Sequence, residues 1–242
     1  MPIREEQFVT GEYYHVFNRG VDRSTVFRNS HDYQFFLSAL EFYHYRESPM
    51  RFSMFRRLNI VTASVARSRL EKSGNNVSVL AYAFMPNHFH LLVRQDIENG
   101  IHQFLFKALN SFAKYLNTKH RRVGPVFQGN FQAVHIDTDE QLLHVSRYIH
   151  LNPVVANIAT MQSLATYPWT SYPTYISSSQ GWINISEIIG IIGSIASYQS
   201  FIAEQEGYAR TLSGIRHLMI DPENLLTSEV SKDAEARMGE II

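Results

Sequence analysis

The sequence predicts an α+β fold in which helices pack on one antiparallel sheet, and three observations support this class. Four short segments are apolar in continuous or alternating order, as is typical of strands. Three longer segments repeat their apolar residues at helical spacing. Turn-forming residues separate neighbouring segments, and the 242 residues are enough to bury a substantial core.

The first half of the chain predicts a strand, a helix and two more strands. Tyr13-Tyr14-His15-Val16-Phe17 indicates the first strand, and Ser30 can cap a helix over about 31–46. Residues 77–84 and 87–93 indicate the next two strands, with a proline-containing turn between them.

The second half predicts a helix, a strand and a further helix. From about 97 to 120 the apolar residues form one helical stripe, and residues 124–136 return to extended patterning. Asp137 or Thr138 can cap the last helix, which we expect to end ahead of Pro153. The first six elements match the split β-α-β-β-α-β unit, a ferredoxin-like sandwich. The extra helix can then lie against the central strand.

A basic insertion separates the first helix from the second strand at residues 47–75. Only Glu47 and Glu71 oppose its six basic residues, which are Arg51, Arg56, Arg57, Arg67, Arg69 and Lys72. We interpret the insertion as a solvated, partly mobile loop, because loops are the most variable segments of a fold. Contact with a DNA backbone is the alternative.

Residues 1–156 form the predicted main domain, and residues 157–242 form a helical C-terminal extension with a tail. The first part holds 18 Lys and Arg against 13 Asp and Glu, whereas the second holds 4 against 9. A basic front part is compatible with a polyanionic partner. Two short helices, at about 185–195 and 198–206, should precede a polar tail. The acidic extension either packs as a small appendage, which we favour, or folds over the basic face and restrains activity.

Composition excludes several kinds of protein. Cysteine is absent, so disulfides and thiolate metal sites are excluded, and a metal must bind nitrogen or oxygen. The N-terminus lacks an apolar signal segment, and no apolar run approaches the roughly 20 residues of a membrane span. We therefore expect a cytoplasmic protein without membrane contact.

Two histidines lie two residues apart in the third predicted strand. On a strand, His88 and His90 project from one face while Phe89 projects from the other. A single buried histidine on a sheet is commonly structural, but two on the same face favour a metal or catalytic role.

The last predicted helix contains a matching pair, because Tyr148 and Asn152 lie four residues apart and share one face. An asparagine oxygen suits Mg²⁺ or Mn²⁺, and tyrosine can act as a covalent nucleophile. His88, His90 and Asn152 would complete a metal site beside Tyr148. Tyr115 is a competing tyrosine, but its nearest asparagine is two residues away, a spacing that points the two side chains to different helix faces.

A His-x-His pair on a strand, followed by Tyr148 and Asn152 on a later helix, resembles the single-tyrosine HUH nucleases. It resembles more closely the IS200-like transposases with their REP-associated tyrosine transposase relatives. The matching motifs, in chain order, are Asn18-Arg19-Gly20, Phe84-Met85-Pro86-Asn87-His88-Phe89-His90-Leu91-Leu92, Gly124-Pro125-Val126-Phe127-Gln128-Gly129, Arg147-Tyr148-Ile149-His150-Leu151-Asn152-Pro153-Val154 and Trp169-Thr170-Ser171-Tyr172. All but the last lie within residues 13–156. The His-x-His element alone is a weak signal, whereas the ordered set is specific.

The resemblance implies a metal-dependent transposase that cuts single-stranded DNA and becomes joined to it through a 5′-phosphotyrosine. It also suggests a hairpin or imperfect palindrome as substrate. It assigns Tyr148 as the nucleophile and His88 and His90 as ligands of Mg²⁺ or Mn²⁺. Asn152 stands where some members of the wider family have glutamine, which offers the same amide oxygen.

Basic side chains in turns beside the predicted sheet are candidate contacts to the DNA backbone; they are Arg19, Arg23, Lys119, Arg121 and Arg122. Two other functions stay open. One is a metal-dependent phosphodiesterase that uses water as nucleophile, and the other is a non-catalytic nucleic-acid-binding module with structural histidines. The target DNA, the physiological metal and the choice between monomer and homodimer do not follow from the sequence.

Overall fold

A computed structural model describes residues 7–177 and 181–204. The strands of this part of the chain are β1 (Tyr13–Arg19), β2 (Val77–Met85), β3 (His88–Gln95) and β4 (Gln132–Ile136). They form one antiparallel sheet in the order β2-β3-β1-β4, with β1 and β3 in the centre. The predicted α+β class with an antiparallel sheet is confirmed.

The helices are α1 (Ser30–Tyr43), α2 (Phe52–Phe55), α3 (Ile60–Lys72), α4 (Gly100–Lys119), α5 (Asp139–Val155), α6 (Met161–Leu164), α7 (Tyr172–Ser177), α8 (Ser186–Ile192) and α9 (Ile195–Ala203). The paired helices α1 and α4 cover one face of the sheet, and α5 covers the other face against β2 and β3. None of these described helices is long and apolar enough to cross a membrane.

An aromatic core lies between the sheet and the α1–α4 pair. Phe36 of α1 contacts Phe84, Phe89 and Phe112, whose ring centroids lie 5.2, 5.1 and 4.9 Å away. All four rings are fully buried, and each such ring contributes about 1.5–3 kcal/mol through burial. Because side chains alternate along β3, the burial of Phe89 on this face turns its two histidine neighbours to the opposite face.

Residues that follow α5 cover the outer edge of β2. Ser171 N donates to Tyr82 O (3.0 Å), and Asn184 N donates to Val79 O (2.9 Å). An edge strand with unpaired backbone groups is thereby covered by a later part of the same chain. The division of the chain into two domains stays a prediction. The predicted polar tail lies outside the described residues.

The interpretation of residues 47–75 as a loop is wrong, because α2 and α3 form there. The Asn59 side chain caps α3 by accepting a hydrogen bond from Thr62 N (2.9 Å). Phe52 of α2 and Leu70 of α3 are buried, so both helices are secured by apolar contacts. The high basic content of this segment conceals its short apolar stripe.

The ends of α5 and of the last strand also differ from expectation. Helix α5 continues past Pro153 to its last residue, Val155. A proline in the last turn removes only one donor, and Ala156 N still donates to Asn152 O at 3.0 Å. The predicted strand over 124–136 is shorter, because only β4 pairs along its length and the residues before it form a loop.

The turn that precedes β3 is held by the segment after β1. Gly20 N donates to Asn87 O (2.7 Å), and Val26 N donates to Pro86 O (2.8 Å). The backbone passes so closely that a Cβ atom on Gly20 would lie 2.4 Å from Ser24 O. Glycine is therefore required here for space, since its φ of −58° is open to any residue.

We expect Gly20→Ala to lower the free energy of unfolding by about 1–3 kcal/mol, because the added methyl group forces the turn apart. Gly190→Ala in α8 is the control, since no atom lies within 4 Å of its added Cβ. The control should keep stability or raise it by up to about 1 kcal/mol. Urea unfolding followed by circular dichroism measures both variants. Equal stability of the two would contradict the crowding at Gly20.

A buried carboxylate joins α1 to α4. Asp32 accepts hydrogen bonds from Lys119 Nζ (2.5 Å), Tyr115 Oη (3.0 Å) and Arg28 N (3.0 Å). Burial raises the pKa of Asp32, but the hydrogen bonds and the Lys119 charge outweigh burial and hold that pKa below its ordinary value of 3.8.

Asp32→Asn should lower the free energy of unfolding by about 1–3 kcal/mol at pH 7, because a charged acceptor with three donors is lost. The pKa of Asp32 is lower in the folded than in the unfolded chain. Its contribution is therefore complete above the ordinary pKa of 3.8 and is lost as the pH falls through the folded pKa. Urea unfolding of wild type and Asp32→Asn from pH 7 to pH 3 measures the difference. A difference that stays constant over this range would contradict the prediction.

Candidate functional site

The two histidines of β3 face α5, as the strand period predicts. In the sheet, His88 is paired with Arg19 of β1 and His90 with Phe17. The two imidazole rings are perpendicular, with centroids 4.9 Å apart. His90 is fully buried, whereas His88 at the start of the strand is partly exposed.

Helix α5 brings the predicted nucleophile to these histidines. Thr138 begins the helix by accepting a hydrogen bond from Gln141 N. Ten residues later, the Tyr148 ring meets the His90 ring edge to face, with centroids 5.4 Å apart. The Tyr148 side chain is 3% exposed, and Asn152 is 9% exposed one turn further along the same helix. The structure thus brings Tyr148 and His90 of one chain into contact.

A third histidine, which sequence reasoning does not single out, lies in the same cluster. His15 of β1 is fully buried, and its Nε2 lies 3.0 Å from Nδ1 of His90. Its ring lies edge-on to Tyr148, with centroids 5.8 Å apart. The predicted strand order could have identified His15, because a ferredoxin-like sheet makes β1 the direct neighbour of β3.

The polar atoms of this cluster fit a divalent cation. Among the described residues, Nε2 of His90 is buried without a hydrogen-bond partner. Burial, followed by the nearby His88, His15 and Arg19 side chains, holds the pKa of His90 well below its ordinary value. The ring is therefore neutral, as a metal ligand must be. Nδ1 of His88 lies 2.6 Å from Asn87 Oδ1, a contact that can fix the ring orientation.

A site with three or more histidine, cysteine or carboxylate ligands does not occur in the part of the chain that the structure describes. The predicted ligand set contains only two such residues, His88 and His90, and relies on the amide of Asn152 for the third position. A site of this composition suits a hard cation that keeps several water ligands, such as Mg²⁺.

The competing tyrosine lies on the opposite side of the sheet. Tyr115 stacks on Phe35 of α1 with ring centroids 4.0 Å apart, and its hydroxyl donates to Asp32. Its surroundings belong to the α1–α4 packing. Tyr148 is the tyrosine that contacts the histidine cluster.

The candidate DNA contacts fall into two groups. Arg19 is paired with His88 across β1 and β3, and Arg23 is exposed in the turn that follows β1. The carbonyl of Arg23 accepts a hydrogen bond from Asn87 Nδ2 (3.2 Å), so this turn lies beside the histidine end of β3. Lys119, by contrast, is held in an ion pair with Asp32.

Arg121 and Arg122 belong to the loop between α4 and β4. Arg121 is exposed, while Arg122 donates from Nη2 to Pro125 O (2.7 Å). The same loop returns to the end of β1, where Gln128 N donates to Arg19 O (2.8 Å). This loop therefore reaches the end of the sheet at which β3 begins.

A buried hydrogen-bond network fixes α5 from its other side. His150 contacts the Tyr198 hydroxyl through Nδ1 and Ser171 Oγ through Nε2, each at 2.7 Å. Ser146 Oγ lies 3.0 Å from the same Tyr198 hydroxyl. Burial lowers the pKa of His150 to about 3, so its ring is neutral in this network. Residues beyond α5 thereby hold the helix that carries Tyr148.

Comparisons with known proteins agree with these motifs. Residues 51–152 match the family described as transposase IS200 like, a range that contains both the histidine pair and Tyr148. The motifs at Asn18-Arg19-Gly20 and Trp169-Thr170-Ser171-Tyr172 lie outside the matched range. No curated protein matches the chain.

Among solved structures, the chain is similar to a REP-associated tyrosine transposase bound to a REP hairpin. The TM-score is 0.50 at 14% sequence identity, over 76% of this chain and 90% of that chain. At this identity the similarity shows a shared fold. The family match and this shared fold confirm the resemblance that the motifs predict: residues 51–152 are similar to IS200-like transposases.

Proposed function

We propose that this protein is a transposase that cuts and rejoins single-stranded DNA, with Tyr148 as the nucleophile. The observation that carries the proposal is the contact between Tyr148 and the buried His90 inside a domain of the IS200-like family. Tyr148 also lies edge-on to His15, so two buried histidines contact the proposed nucleophile.

The reaction is an exchange of one phosphate ester for another. The Tyr148 phenol oxygen attacks the phosphorus of the scissile phosphodiester, its proton leaves, and the bond from phosphorus to the 3′ oxygen breaks. One strand end is released as a 3′ hydroxyl, while the 5′ phosphate stays on the tyrosine. Attack of a 3′ hydroxyl on the phosphotyrosine reverses these changes and rejoins DNA without a nucleoside triphosphate.

His88, His90 and Asn152 would hold the divalent cation, Mg²⁺ or Mn²⁺. When bound, the cation neutralises charge on the phosphoryl oxygens and polarises the phosphate. The buried Nε2 of His90, which has no hydrogen-bond partner in the described part of the chain, supports this assignment. The low exposure of Tyr148 excludes bulk water, and it also requires the surrounding side chains to move when DNA enters.

DNA with a hairpin or palindromic element beside a single-stranded flank is the proposed partner. The REP-associated tyrosine transposase with the similar fold is bound to a REP hairpin. Arg19, Arg23, Arg121 and Arg122 lie near the histidine end of the sheet and are the proposed backbone contacts. Lys119 can join them only by giving up its ion pair with Asp32.

One chain is sufficient for the proposed site. Tyr148 meets the His90 ring of its own chain, and the His150 network ties α5 to the same chain. A monomer can therefore carry out cleavage, without an exchange of α5 between two copies.

Tyr148→Phe should abolish the covalent protein–DNA adduct while leaving hairpin binding within about threefold, because only the attacking oxygen is removed. Tyr115→Phe is the matched control and should form the adduct at the wild-type level. Labelled single-stranded hairpin DNA with Mn²⁺, resolved on a denaturing gel, measures the adduct, and gel shift measures binding. Free 5′-phosphate ends from Tyr148→Phe would favour a hydrolase with water as nucleophile. Binding without any cleavage by wild type would favour a non-catalytic module.

Removal of the metal should stop cleavage. We expect EDTA to suppress adduct formation by wild type, and added Mn²⁺ to restore it, because the phosphoryl charge is otherwise not neutralised. His90→Ala should lose the adduct and should not recover it at any Mn²⁺ concentration that restores wild type. Cleavage by His90→Ala at the wild-type rate would exclude His90 as a ligand.

A further inference from the structure

We propose that His15 is a positioning residue that sets the proton arrangement of His90, so that Nε2 of His90 presents a lone pair to the cation. This inference rests on the proposed metal role of His90 and adds a residue that lies outside the range of the family match.

The imidazole rings of His15 and His90 are close enough to share one hydrogen bond. Nε2 of His15 and Nδ1 of His90 are 3.0 Å apart, and both side chains are fully buried. Two imidazole nitrogens at this distance form one hydrogen bond, in which one nitrogen donates and the other accepts. The direction of that hydrogen bond decides which nitrogen of His90 remains protonated.

Only one direction suits a metal. If Nδ1 of His90 donates to His15, Nε2 of His90 is an unprotonated acceptor, and it is one of the buried atoms that have no hydrogen-bond partner among the described residues. If His15 donates instead, Nε2 of His90 carries a buried hydrogen with no acceptor. A cation satisfies the first arrangement and is repelled by the second, so His15 must act as the acceptor.

The contacts of His15 distinguish it from an ordinary buried histidine. Its ring lies nearly parallel to His90, with a 20° interplanar angle and centroids 5.2 Å apart, and edge-on to Tyr148. One side chain thus contacts both the proposed ligand and the proposed nucleophile. A change at position 15 should therefore affect metal binding before DNA is present.

The test measures Mn²⁺ affinity of the full chain without DNA, by electron paramagnetic resonance of free Mn²⁺ and by calorimetry. We expect His15→Leu to weaken Mn²⁺ binding about tenfold or more, as is typical when the outer partner of a ligating histidine is lost. His15→Gln should bind within about threefold of wild type, because glutamine keeps a hydrogen-bonding group near the position of Nε2. Loss of affinity in His15→Leu with rescue in His15→Gln would support the proposal.

His44→Leu is the matched control, since His44 is also buried but bonds the Glu41 carbonyl at the end of α1, away from the site. It should lower the melting temperature without changing Mn²⁺ affinity. Equal loss of affinity in His44→Leu and His15→Leu would reduce the role of His15 to general packing and overturn the proposal. Circular dichroism reports whether each variant is folded.

Nitrogen-15 NMR of histidine-labelled wild type tests the same point without a substitution. His90 should carry its hydrogen on Nδ1, and the opposite tautomer would overturn the proposal even if every His15 variant failed to fold.

His90→Ala separates the metal role of His90 from the positioning role of His15. If it binds Mn²⁺ as wild type does, the metal role of His90 fails, and the role of His15 with it. If it loses binding while His15→Leu does not, only the role of His15 fails.

Discussion

The alternation of side chains along β3 is the constraint on which the rest of the structure depends. Phe89 is buried against Phe36 of α1 and Phe127, and its two neighbours must then face the other way. A slip of one residue in the pairing of β3 would bury the histidines in the aromatic core and turn Phe89 towards α5. Packing on one face of the sheet therefore determines the chemistry available on the other.

The end of the sheet at which β3 begins gathers residues from three separate parts of the chain. The turn before β3 accepts hydrogen bonds from the segment after β1, and the loop after α4 also bonds to the end of β1. Arg19 is paired with the partly exposed His88 across β1 and β3, while His90 lies deeper. Arg23, exposed in the turn after β1, adds positive charge at this end, which suits a polyanionic substrate.

Helix α5 depends on the residues that come after it. Its His150 bonds to Tyr198 and Ser171, and the same C-terminal region covers the edge of β2. Tyr148 lies two residues before His150, so one part of the helix meets the histidine cluster and a neighbouring part meets this later segment. The region predicted as an appendage packs against the helix that carries the proposed nucleophile. Its hydrogen bonds to His150 hold α5 in place.

Local periodicity and spacing are enough to predict the four strands with α1, α4 and α5, the common face of His88 and His90, and the position of Tyr148 and Asn152 on one helix. Each of these follows from backbone geometry over fewer than ten residues. The helices α2 and α3 are missed because the basic residues of 47–75 conceal a few apolar ones, of which Phe52 packs against Phe42 of α1 and Leu70 is buried. The position of His15 beside His90, the remoteness of Tyr115 and the ion pair of Lys119 depend on which strands and helices become neighbours. Tertiary structure alone decided them, because hydrogen bonds between residues 75 or more positions apart leave no periodic signal in the chain.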